Sequence, residues 1–169
     1  TAAARTTLVG RRAEMARLDA AWESVTRGEG RVLLISGEAG IGKTRLVAEL
    51  ARRAQATEGS VLVGRCDVAA LPYRPLADLL EKAPAAVHGE LARLLNDSKE
   101  ATSADGVGAA QARDERALYA AVAFVLGQLA SVGPVLFIID NAERIDQATA
   151  LLLRHLMERL PEKLLIVLC

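Results

Sequence analysis

Aromatic side chains are scarce, at two Phe, two Tyr and one Trp, or 3% of 169 residues. The core must therefore be aliphatic, dominated by Leu, Val and Ala. There is no excess of either charge: 21 basic residues balance 21 acidic ones. That argues against a nucleic-acid footprint spread over the whole domain, while leaving a local patch open. The two cysteines, Cys66 and Cys169, form no metal-type spacing and read as free thiols in a reducing compartment, so a cytoplasmic location is expected. His88 and His155 stand isolated and suggest no chemistry. No apolar run is long enough to span a membrane, and no signal-peptide pattern is present. There is no internal repeat and no heptad array. The chain starts at Thr1 without Met and ends in the apolar run Leu164 to Cys169, as expected of a piece of a longer protein.

What is present is ordinary for a globular domain: 51% apolar and 25% charged residues. A single domain of this length buries roughly 70% of its unfolded surface. One stretch stands apart. Gly37-Glu38-Ala39-Gly40-Ile41-Gly42-Lys43-Thr44 reads G-x-x-x-x-G-K-T, a phosphate-binding loop. Before it, Val32 to Ile35 reads as a buried strand. After it, Leu46, Val47, Leu50, Ala51 and Ala54 fall at the spacing of one helical face. Glycines let successive backbone N–H groups turn inward with no side chain in the way, and the start of a helix adds unpaired N–H groups and the positive end of its dipole. Lys43 is placed to reach the β- and γ-phosphates, and the Thr44 hydroxyl to ligate Mg²⁺. Arg45 continues the loop into the helix.

In order, residues 1–7 are small and polar and expected to fray. A helix with Met15, Leu18, Trp22 and Val25 on one face follows, with its charged residues as a solvated face; Gly28 and Gly30 end it. The first strand is expected at 31–36, the phosphate-loop helix at 43–56 and a second strand at Val61-Leu62-Val63. Pro72 and Pro75 make a loop, and two short helices are expected at 75–82 and 88–95. Residues 96–113 are polar with few large apolar side chains and read as a linker-like mobile loop. A helix runs from about Asp114 to Ser131, with Leu118, Val122, Val125 and Leu129 on one side and Leu126 beside them. Val135 to Ile139 is a third strand, a helix occupies 148–160, and Leu164 to Leu168 is a fourth strand. Helices alternating with apolar strands imply an α/β fold with a parallel sheet between helical layers.

The third strand ends in Asp140, in the form of a Walker B strand. Ligands of doubly wound sheets lie at the carboxyl ends of the strands, so Asp140 is expected at the same rim as Lys43 and Thr44, holding the Mg²⁺ shell. Hydrolysis also needs a group that orients or deprotonates water. The next position is Asn141, an amide rather than an acid; Glu143 is the nearest carboxylate and the candidate base, with a solvated surface role as its alternative. Slow turnover is expected. Arg65 either approaches the nucleotide or caps the rim.

Taken together, Leu8-Val9-Gly10-Arg11, the loop Ser36 to Leu46, Gly64-Arg65-Cys66 with Pro72-Tyr73-Arg74-Pro75, and Ile139 to Asp146 resemble the N-terminal ATPase domain of large ATP-binding LuxR-type transcriptional regulators. These are signal-transduction (STAND) ATPases of the AAA-like P-loop group. The resemblance covers nearly the whole chain, 1–169, as a P-loop ATPase domain. It implies a three-layer P-loop NTPase fold truncated after the fourth strand, with ATP or ADP and Mg²⁺ as ligands. It places Val9 and Arg11 near adenine and ribose. It implies the strand order second, third, fourth, first, with the first strand a bare edge. Asn141 departs from the family's second acid, Asp146 keeps the acidic tail, and a polar sensor residue expected after the fourth strand is missing.

The function that follows is a nucleotide-dependent switch. Its partners are the other domains of the regulator or further copies of itself, with DNA reached through a helix-turn-helix domain absent here, and no membrane. The alternatives are an ATP-hydrolysing motor of the AAA or origin-recognition type, the ATPase module of an adenylyl cyclase or kinase-linked protein, and a phosphotransferase.

Overall fold

A computed structural model describes residues 10–66, 72–76, 79, 81, 83, 85–101 and 109–169. Its elements are α1 (Arg12–Thr26), β1 (Arg31–Leu34), α2 (Lys43–Ala56), β2 (Ser60–Arg65), a 3₁₀ turn (Arg74–Leu76), α3 (Ala85–Ala101), α4 (Ala109–Val132), β3 (Val135–Asp140), a 3₁₀ turn (Ala142–Arg144), α5 (Gln147–Glu158) and β4 (Leu164–Leu168).

The four strands form one sheet in the order β1-β4-β3-β2, and every pairing is parallel. The central strands explain themselves. All six residues of β3 and the first four of β4 are buried. Because side chains alternate across the pleat, each strand feeds two cores at once. Val135, Phe137, Ile139, Leu164 and Ile166 meet α3, α4 and α5 on one face. Leu136, Ile138, Leu165 and Val167 meet α1 and α2 on the other. Each such side chain contributes roughly 1.5–3 kcal/mol by leaving water. A polar substitution at any of these positions would place a polar group among buried hydrophobic side chains.

The helices bury the predicted stripes. Met15, Leu18, Trp22 and Val25 of α1 are buried, as are Leu46, Val47, Leu50 and Ala54 of α2. Trp22 joins the two helices, its Nε1 donating to Thr57 Oγ1 at 3.0 Å. In α4, Leu118, Val122, Val125 and Leu126 are buried, with Leu129 half-buried. By length and composition Glu115–Val132 is apolar enough to cross a membrane, contrary to the sequence reading. In this fold its apolar stripe packs on the sheet, while Phe124 on the opposite side stays 50% exposed.

Several boundaries differ from expectation. The run at β1 is not buried: Val32 and Leu33 are half-buried and Leu34 is 72% exposed. The reason is its place at the end of the sheet, where only β4 pairs with it among the described residues, in the strand order and edge position that the family resemblance implied. Within the stretch expected as a helix at 75–82, Arg74–Leu76 form a 3₁₀ turn and Leu79 and Glu81 are helical, with 77, 78, 80 and 82 outside the described residues; the helix expected at 88–95 lies inside the longer, 17-residue α3. Pro75 fits inside that turn, whose closing bond is Leu76 N–H to the Tyr73 carbonyl at 2.9 Å. The stretch 96–113 is not a loop at its ends, since 96–101 belongs to α3 and 109–113 to α4. Polarity excluded burial there, but Ala, Gln, Lys, Glu and Arg are strong helix formers and no Gly or Pro interrupts either end. Residues 102–108 lie outside the described residues, as do 1–9 with Leu8 and Val9.

Candidate functional site

The loop from Ile35 to Gly42 connects β1 to α2. Gly40 and Gly42 have φ of +78° and +96°, a region that side chains avoid, and a Cβ at either would meet nothing within 4 Å. These two positions are glycine for backbone shape, and the space beside them is open. Gly42 is the N-cap residue of α2 and makes no side-chain capping bond, so the first amides of the helix keep their donors for another acceptor. Lys43 folds back over the loop, donating from Nζ to the Gly37 carbonyl at 2.9 Å and the Glu38 carbonyl at 3.3 Å. Its ammonium therefore sits over the loop that carries the open backbone.

The second half of the site arrives through the sheet. Thr44 Oγ1 donates to Asp140 Oδ1 at 3.2 Å, across 96 residues of sequence. The same oxygen accepts the Asn141 amide at 3.1 Å and faces Cys169 Sγ at 3.5 Å. Asp140 Oδ2 faces Arg65 Nε at 3.7 Å. Parallel register explains the grouping: Arg65 pairs with Asp140 between β2 and β3, and β4 ends beside Asp140 on the other side of β3. Asp140 is 7% exposed, a carboxylate held by hydrogen-bond donors on Oδ1 and faced by the Arg65 guanidinium on Oδ2.

A cleft of about 840 Å³ opens along this rim. Gly37, Ala39, Gly40, Gly42, Lys43, Thr44, Arg45 and Glu143 line it; Glu38 and Ile41 belong to the same loop without lining it. Asp140 borders it through Thr44. Arg11 does not reach the cleft. Its guanidinium donates to the Ile41 carbonyl at 3.1 Å and to Glu14 Oε1 at 2.8 Å, so in this structure it braces the back of the phosphate loop. Val9, paired with it in the sequence reading, lies outside the described residues.

Sequence reasoning missed Cys169 and the cleft's apolar wall, and it weighed Asn141 only as an amide in place of an acid. Cys169 was read as a free thiol without a site; it is buried against Asp140, and burial together with that carboxylate pushes its thiol up to about 12. Strand order was the available signal, since the residue ending β4 must land beside the end of β3. Asn141 adopts left-handed φ/ψ of 57° and 42°, and its Nδ2 donates to the Cys66 carbonyl at 3.4 Å. Leu34, Ile35, Ile145 and Leu168 supply an apolar wall to the cleft. Asp146, expected as the acidic tail, caps α5 by accepting the Thr149 amide at 2.8 Å.

The donors suit a particular ligand class. Open backbone at a helix start, a lysine over the loop, and a hydroxyl beside a carboxylate fit a polyphosphate with a hard, oxygen-preferring cation such as Mg²⁺. Among the described residues no cluster of three His, Cys, Asp or Glu side chains is present to hold a metal by itself. A cation here would have to share its shell with Thr44, Asp140 and the ligand.

Comparison with known proteins bears on the same residues. The family model described as an AAA ATPase domain matches residues 7–168. An uncharacterized protein of Rhizobium meliloti (strain 1021) is 38% identical over 90 residues, which is 52% of this chain and 8% of that protein. The matched part thus spans a small fraction of the curated relative's length.

Proposed function

We propose, starting from the fact that this chain belongs to the AAA ATPase domain family, that it binds ATP with Mg²⁺ and acts as a nucleotide-dependent switch. The observation that carries the reading is the 3.2 Å bond from Thr44 to Asp140, which unites the two phosphate-site motifs at one rim. In this reading the loop amides from Gly40 to Thr44 hold phosphate oxygens. Lys43 leaves the Gly37 and Glu38 carbonyls and turns to the β- and γ-phosphates, exchanging two neutral acceptors for charged ones. Thr44 and Asp140 hold the cation's shell, and the cation, when bound, neutralises charge on the phosphates. ADP occupies the same cradle.

Hydrolysis is slow because the position after Asp140 carries an amide turned toward Cys66 rather than a carboxylate turned toward the cleft. Glu143 lines the cleft and is, among the described residues that line it, the carboxylate available as a base, on an exposed turn whose water access lowers its efficiency. Binding alone can drive a switch when the ATP-bound and empty states differ in affinity for partners. The motif series Leu8 to Arg11, Ser36 to Leu46, Gly64 to Pro75 and Ile139 to Asp146 supports placing the domain in a large LuxR-type regulator in the cytoplasm. Its partners there are neighbouring domains or further copies, and DNA is contacted through a separate helix-turn-helix domain.

Phosphate release from ATP with Mg²⁺ tests the switch reading. Turnover well below one per second is expected. Rates of tens per second by the isolated chain would contradict it and favour a motor.

A further inference from the structure

Arg65 remains unexplained by the site as described. It is the last residue of β2, and its guanidinium faces the outer oxygen of the carboxylate that the proposed function gives to the cation. The rest of that carboxylate is already occupied, since Oδ1 faces Thr44, Asn141 and Cys169. Oδ2 is thus the oxygen left for an incoming positive charge, and Arg65 stands there now. A divalent cation and a guanidinium cannot share one oxygen without strong like-charge repulsion.

The two ends of Arg65 differ in freedom. Its backbone is fixed: the neighbouring Gly64 lies so close to Pro75 that a Cβ would come within 2.3 Å of the Pro75 carbonyl oxygen. The following Cys66 amide donates to the Asp140 carbonyl at 3.0 Å. Its side chain is 64% exposed, against 10% for Asp140. The base is held and the head can swing. Once displaced, the guanidinium needs an anion at the same rim. The third phosphate of ATP meets that need, because a guanidinium fork matches phosphate oxygens in pairs. ADP lacks that group.

We propose that Arg65 is the residue by which this site distinguishes ATP from ADP: it waits on Asp140 and moves to the third phosphate when a divalent cation takes its place. The assignment rests on the proposed nucleotide site and deepens it. It makes the preference for ATP depend on Mg²⁺, and it places the sensing charge on the same chain as the phosphate loop.

Calorimetric titration of the full chain with ATPγS and with ADP, each with Mg²⁺, tests this in wild type, Arg65→Ala and Arg65→Lys. In wild type a preference of about tenfold or more for the triphosphate is expected, one good charge-assisted contact. Arg65→Ala should bring the ratio near one through weaker ATPγS binding, with ADP affinity unchanged or raised, because the guanidinium no longer competes with the cation for Asp140, and with the denaturation midpoint as in wild type. Arg65→Lys keeps the charge without the fork and should recover part of the ratio. A wild-type ratio near one, an Arg65→Ala ratio equal to wild type, or equal weakening of both nucleotides would overturn the assignment while leaving the nucleotide site standing. A wild-type chain that gives no heat with either nucleotide overturns the assignment and the site together.

Discussion

Replacing Gly64 by alanine adds one methyl group, and the structure says where it goes. The new Cβ would lie 2.3 Å from the Pro75 carbonyl oxygen, 2.7 Å from Pro75 Cβ and 2.8 Å from Pro75 Cα. Two of these are backbone atoms, so no side-chain rotation relieves the contact. Either β2 or the turn at Arg74–Leu76 must move. Both are anchored, β2 by its ladder to β3 and the turn by the Tyr73 amide on Thr149 Oγ1 at 3.0 Å. Forcing a methyl group into packed surroundings costs about 1–3 kcal/mol, and rigid backbone on both sides points to the upper end. Gly127 is the control. It lies inside α4, and a Cβ there meets nothing within 4 Å. Gly127→Ala should therefore stabilise by about 0.5–1 kcal/mol through backbone entropy alone. Urea denaturation followed by Trp22 fluorescence and far-ultraviolet dichroism reads both variants. The reasoning fails if Gly64→Ala costs less than about 0.5 kcal/mol, or if Gly127→Ala is the more damaging of the two.

Thr149 is fully buried, accepts the Tyr73 amide and donates to Asp146 Oδ2 at 2.5 Å. Thr149→Val keeps the shape but leaves a buried amide unpaired, so a loss of about 1–3 kcal/mol is expected in denaturation, with Thr149→Ser recovering much of it. Glu49 accepts from Arg52 and Arg53, and those bonds hold its carboxyl down at about 2, below the ordinary 4.5. Its folded value is the lower one, so its contribution is complete above pH 4.5 and is lost as the pH falls toward 2. Both arginines are well exposed, which limits the contribution to about 1 kcal/mol. Glu49→Gln should lose that amount at pH 7 and show a flatter decline in stability between pH 4.5 and 2 than wild type; equal slopes would contradict the pairing.

The phosphate loop and the sheet were legible because each has a local signature. The glycine spacing of 37–42 reports backbone shape directly, and the unbroken apolar runs of β3 and β4 report burial on both faces. β1 carries a similar run, yet Leu34 is exposed, because a strand's place in the sheet is a property of the whole fold rather than of its own residues. The helical ends of 96–113 were hidden for the opposite reason, since polarity signals exposure and says nothing against a helix. Arg65 and Cys169 meet at Asp140 only through the register of β2, β3 and β4, which no spacing along the chain encodes, whereas Asn141 is there as its neighbour in sequence. Gly64 looks like any glycine in a strand until the turn that crosses it is known.

The central claim is that the loop at Gly37–Thr44 and Asp140 make one nucleotide site. Calorimetric titration of the chain with ATP and Mg²⁺, beside the Lys43→Ala variant, tests it most directly. A single saturable site in wild type that disappears in Lys43→Ala, with both proteins equally folded, is the predicted result. Silence from the wild type, or the same isotherm from both proteins, would contradict it.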